Sequence, residues 1–127
     1  MAKPGSLVAL NVTRGVKLTD CGHVADNYWT RLVGLLRHKK LDPGDGLWIV
    51  PCNSIHSIGM QFVFDAVFLD KTLKVVHLMP EMKAWRVSKI AFSAHSVLEL
   101  PAGVIAQTGT ELGDQFDMRR EPLPAAG

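Results

Sequence analysis

The sequence predicts a mainly β domain of the α+β class. Three features point to it: short apolar runs recur through the chain, a helical period appears over one long stretch only, and clusters of Gly, Pro, Asp and Asn separate the runs. At 127 residues the chain is expected to form one domain, residues 5–119, with a core large enough to fold unaided and disordered tails at 1–4 and 120–127.

Taken in order, Leu7, Ala9 and Asn11 alternate with Val8, Leu10 and Val12. Thr13, Arg14 and Gly15 then turn the chain into Val16–Asp20, which predicts a hairpin with a glycine-containing three-residue loop. Over Ala25–Lys40 the period changes. Tyr28, Leu32, Leu35 and Leu36 share one face, Trp29 and Val33 widen it, and Asp26 is suited to the N-cap, so an amphipathic helix spans 26–40. Its other face carries Arg31, Gly34 and Arg37 at three-residue steps. A glycine inside a helix costs about 1 kcal/mol relative to alanine, which close approach to a strand would justify. The two arginines are either solvated or aimed at a carboxylate or anionic ligand. Asp42, Pro43, Gly44, Asp45 and Gly46 end the helix.

Strands dominate afterwards: Leu47–Val50, Ile55–Met60, Gln61–Asp70 and Lys74–Met79, the last two joined by a turn at Asp70–Leu73. Pro80–Ala94 has no clean period and reads as a long loop carrying Trp85 and Phe92. Ser96–Leu100 is a short strand, Pro101 and Gly109 bracket a short helix over Ala102–Thr108, and Gln115–Met118 is a last strand.

The run around Asp65 is the most informative. Phe62, Phe64, Ala66 and Phe68 lie on one side of the pleat and Val63, Val67 and Leu69 on the other, so the strand is buried on both faces. A carboxylate there costs several kcal/mol if left unpaired. The expectation is that Arg31 or Arg37 answers Asp65, either as a structural pin between helix and sheet or beside a ligand pocket.

Composition narrows the function classes. Fourteen basic residues stand against twelve acidic, a net charge of +2, and the basic residues are scattered except for Arg37–Lys40. That balance gives no reason to expect nucleic acid or an anionic membrane as partner. The first twelve residues make a poor signal peptide and no apolar run reaches the roughly 18 residues of a membrane span, so a cytoplasmic location is expected. Cys21 and Cys52 are too few for a disulfide framework.

Three ordered blocks, RLVGLLRHKKL, GDGLWIVPCNSIHSIGMQFVFDAVFLDKTLKVV and VLELPAGVIAQTGTELGDQF, resemble the domain of unknown function family 192. The likeness runs from about Leu7 to Met118. It carries over onto Arg31, Gly34, Leu35, Arg37, Met60, Asp65, Asp70, Glu99, Gly103, Gly113 and Asp114; Val63 departs from it, where the family usually has proline. Cys52 and His56 look like a subgroup reading P-C-x-S-I-H. The resemblance implies a small β-barrel-like fold of mostly antiparallel strands with one helix packed on it, and no established activity.

Two function classes follow. The first is a non-enzymatic binding or accessory domain, with a polar pocket between the 26–40 helix and the Asp65 strand. Arg31, Arg37, Cys52, His56, Met60, Asp65 and Glu99 are its candidate lining, and its ligand would be a small anionic molecule or a peptide segment. The second is a Cys/His-dependent hydrolase or transferase, or a zinc site, built on Cys52 and His56 with help from His23, His77 or His95. In an extended segment Cys52 and His56 stand roughly 13 Å apart, so either use requires a bend at Asn53–Ile55. Glu99 is expected to meet a lysine or arginine at the rim; a general acid–base pair with Asp65 would need the two carboxylates brought together. No phosphate-cradling loop, GxSxG or HExxH occurs, and no cofactor or bound metal is called for.

Overall fold

The computed structural model describes residues 6–25, 41–52, 63–82 and 93–120. Among these lie seven strands: β1 (Leu7–Asn11), β2 (Val16–Ala25), β3 (Leu47–Ile49), β4 (Phe64–Leu69), β5 (Val75–Met82), β6 (Ser96–Pro101) and β7 (Phe116–Arg120). One short helix, α1 (Val104–Thr108), joins β6 to β7. The expected 26–40 helix and the Ile55–Met60 strand lie outside the described residues.

The strands form one sheet in the order β5-β4-β6-β3-β2-β1-β7, curled into a half-barrel. The mainly β expectation and the hairpins β1–β2 and β4–β5 hold. One pairing differs from the antiparallel rule: β2 and β3 run parallel, with His23 opposite Leu47 and Ala25 opposite Ile49. A parallel pair needs a crossover of a dozen or more residues, and the chain between Ala25 and Leu47 is long enough to supply it.

Strand parity divides the apolar residues between the two faces. Leu7, Ala9, Leu18, Val67, Leu69, Val75, Leu98, Leu100, Ile105 and Phe116 form one buried cluster. Because both ends of the strand order contribute to it, this cluster fills the concave side. Leu47, Ile49, Phe64, Ala66, Phe68, Met82 and Val97 form a second cluster, drawn from β3, β4, β5 and β6 only, on the opposite face. This is why every residue of β4 is buried.

The two edge strands meet at one end. Lys74 bridges Gln115, the Val75 amide donates to the Asp114 carbonyl at 2.9 Å, and the Phe116 amide donates to the Leu73 carbonyl at 2.8 Å. The β4–β5 turn that leads there is organised by Asp70, whose Oδ1 accepts from the Thr72 amide (2.8 Å), the Thr72 hydroxyl (2.7 Å) and the Lys74 amide (3.0 Å). These donors, the Thr72 hydroxyl foremost, hold the Asp70 carboxyl below its usual range.

Further along, β5 bulges. Phe64 pairs with Met82 but Ala66 pairs with Met79, so β5 carries one extra residue across that interval, and Glu81 takes a φ of 51°. Gly103 (φ 97°) turns the chain from β6 into α1, a conformation that side chains rarely adopt.

Candidate functional site

Asp65 is fully buried on the concave face, and its carboxylate is answered by backbone. Oδ1 accepts the Glu81 amide at 2.8 Å, the N–H that the β5 bulge leaves outside the ladder. Oδ2 accepts the Ile105 amide at 2.8 Å, one of the N–H groups that the first turn of α1 cannot pair internally. Among the described residues, therefore, Asp65 ties β4 to the bulge and to α1 through amides rather than guanidinium. Of the expected pocket, Arg31, Arg37, His56 and Met60 lie outside the described residues.

Glu99 is on the other face. In the register Asp65 stands opposite Leu100 and Glu99 opposite Ala66, so the two carboxylates point to opposite sides of the sheet. An acid–base pair between them is ruled out by that parity. Nor, among the described residues, does Glu99 sit at a rim beside a cation. It is 2 % exposed on a central strand, flanked by Leu47 of β3 and Ala66 of β4, and its Oε1 has no hydrogen-bond partner among the described residues. Burial among apolar side chains pushes its carboxyl up to about 8, so at neutral pH it is chiefly a neutral acid that can both donate and accept.

Two chemically active side chains border the same face. Cys52, half-buried, packs against the Leu47–Phe64–Phe68 cluster, and its amide donates to the His95 carbonyl at 2.8 Å. The His77 ring lies 4.9 Å from that of Phe68. Among the described residues no three His, Cys, Asp or Glu side chains are grouped so as to hold a metal.

A polar knot at the closed end of the sheet went unanticipated. Fully buried Asn11 donates from Nδ2 to Asp114 Oδ2 (2.9 Å) and Thr110 Oγ1 (3.2 Å), while Arg14 Nε donates to the same Asp114 oxygen at 2.6 Å. The Glu111 amide adds a bond of 3.0 Å. Burial would raise the Asp114 carboxyl, but the Arg14 bond and then the others outweigh it and leave it below its usual range. A signal was present: Asn11 shares the parity of Leu7 and Ala9, so a polar group was bound to point inward.

The family model for uncharacterised DUF192 proteins matches residues 10–118. A UPF0127 protein of Pyrococcus furiosus is 31% identical over 117 residues, covering 87% of this chain and 97% of that one. A crystal structure of a protein of unknown function from Novosphingobium aromaticivorans superposes with a TM-score of 0.74 at 16% identity, covering 92% of this chain and 91% of the other. Another, from Sinorhizobium meliloti and described as a candidate transcription regulator, gives 0.69 at 17% identity, covering 93% and 98%. At such identities the two structures speak for the fold alone. No helix among the described residues is long and apolar enough to cross a membrane.

Proposed function

Since the chain belongs to the uncharacterised DUF192 family, we propose from its geometry that it is a non-enzymatic binding or accessory domain whose recognition face is the Glu99 side of β3, β6 and β4. The observation that carries this reading is the carboxyl oxygen of Glu99, buried and without a partner among the described residues. Buried polar groups are nearly always paired, and an orphan in a central strand marks a place where something else completes the pairing. The ligand on this reading is a small molecule or a peptide segment. Asp65 drops out of the recognition set, because both its oxygens serve the backbone.

The test is a fragment screen read by methyl NMR. Binding fragments are expected to shift the methyls of Leu47, Ile49 and Val97 and to leave those of Val67, Leu98 and Leu100 in place. Shifts confined to the second set would overturn the assignment of the face. An enzyme built on Cys52 is the second reading, favoured by the packing of Cys52 against the same cluster. It requires Cys52 to react with iodoacetamide at pH 7 faster than free cysteine does, since a nucleophilic thiol needs a depressed pKa.

A further inference from the structure

The surroundings of Glu99 narrow what it receives. Its strand neighbours on that face are Val97, Leu47 and Ala66, and the cluster around them adds Phe64 and Phe68. The titratable side chains of the described residues that border this face are Cys52 beside the cluster, His77 against Phe68 and, on β2, His23, which stands opposite Leu47 in the register. A cation seated here would have to shed its own hydration and also hold Glu99 ionised in an apolar setting, two desolvation costs for one contact. An amide needs neither. Its carbonyl accepts the acid O–H while its N–H donates to the other carboxyl oxygen, so one neutral group satisfies both ends of the side chain.

We propose that the Glu99 face takes a neutral amide, a carboxamide or peptide group borne on an apolar body, held by paired hydrogen bonds to the Glu99 carboxyl group. This rests on the binding reading given above and names the class of ligand for that site.

Benzamide, benzylamine and benzoate, which share a ring suited to the Phe64–Phe68 surroundings and differ in the polar group, separate the alternatives by methyl NMR titration. Benzamide is expected to shift the Leu47, Ile49 and Val97 methyls. Glu99→Gln, which keeps a neutral donor and acceptor, should hold its affinity within about twofold, and Glu99→Leu should lose about tenfold or more, the scale of a forfeited buried hydrogen-bond pair. With Glu99 titrating at about 8, only about one-tenth of it is protonated at pH 9, so wild-type affinity should fall about tenfold from pH 6 to pH 9. Glu99→Gln should show no such fall, which separates the Glu99 proton from those of Cys52, His77 and His23, and this arm decides the matter even if Glu99→Leu does not fold. Glu99-dependent binding of benzylamine that strengthens with pH would overturn the amide assignment and leave the site standing. If none of the three shifts these methyls, the amide assignment and the site reading fall together.

Discussion

Replacing Glu99 by glutamine should make the protein more stable at neutral pH, by an amount that the burial of the side chain sets. The folded state holds the Glu99 carboxyl at about 8 against an ordinary 4.5, because burial penalises its charged form. Between those two pH values the native chain keeps a proton that the unfolded chain releases. The native state therefore binds more protons, and stability falls as pH rises through that window, levelling off above about 8. Each pH unit corresponds to about 1.4 kcal/mol, so the ionisable side chain costs about 3 kcal/mol at pH 7 and about 5 kcal/mol beyond the window. Glutamine has nearly the same shape and hydrogen-bonding capacity as the neutral acid but no proton to lose. Urea unfolding of wild type and Glu99→Gln at pH 5, 7 and 8.5 should give nearly equal stabilities at the first pH and a gap in favour of the variant that widens at the second and third. A variant less stable than wild type at pH 7, or a gap that does not grow with pH, would show that Glu99 is ionised and partnered in the native state, and the reasoning about its face would fail.

Asp65→Asn offers one acceptor where two amides converge and turns an NH2 group toward the other, so it should cost about 2 to 4 kcal/mol and speed hydrogen exchange at the Glu81 and Ile105 amides; unchanged stability would refute the pinning role. Asp114→Asn should cost about 2 kcal/mol at pH 7. Because the folded Asp114 carboxyl sits below its usual range, its contribution is present above the ordinary carboxylate pKa and lost as pH falls through the folded value, so the deficit of the variant should shrink in acid-unfolding curves below about pH 4. Gly103→Ala forces a side chain into φ 97° at the start of α1 and should lower stability by about 1 to 3 kcal/mol in thermal melts.

How much of this was legible depended on whether a feature was local. The Asp70 turn, the terminator at Gly109 and the double-faced burial of β4 were all readable from neighbours in the chain, because turn chemistry and alternation act over a few residues. The parallel β2–β3 pair was not, since nothing near either strand records which partner it meets across the crossover. The register that sets Asp65 opposite Leu100 and Glu99 opposite Ala66 was equally out of reach, and with it the fact that two acidic residues on adjacent strands never share a side. The bulge in β5 was hidden for a related reason: Pro80 and Glu81 look like the start of a loop, yet they continue a strand with one residue too many.

A folded backbone supplies donors that a sequence does not display, and among the described residues it is backbone amides that answer Asp65. Bulges, helix starts and tight turns free N–H groups, and three of the four family-motif carboxylates go to them. Asp65 takes Glu81 and Ile105, Asp70 takes Thr72 and Lys74, and Asp114 takes Glu111 together with Asn11 and Arg14. The Asp65 and Asp114 carboxylates are thereby committed to the curled sheet, and Asp70 to its turn through Oδ1. Glu99 alone among the four lies in the middle of a regular ladder, where the backbone groups already bond one another and no freed amide is at hand. Its orphaned oxygen follows from that position, and so does the reason to look for recognition on its face of the sheet rather than beside the more conspicuous acid of β4.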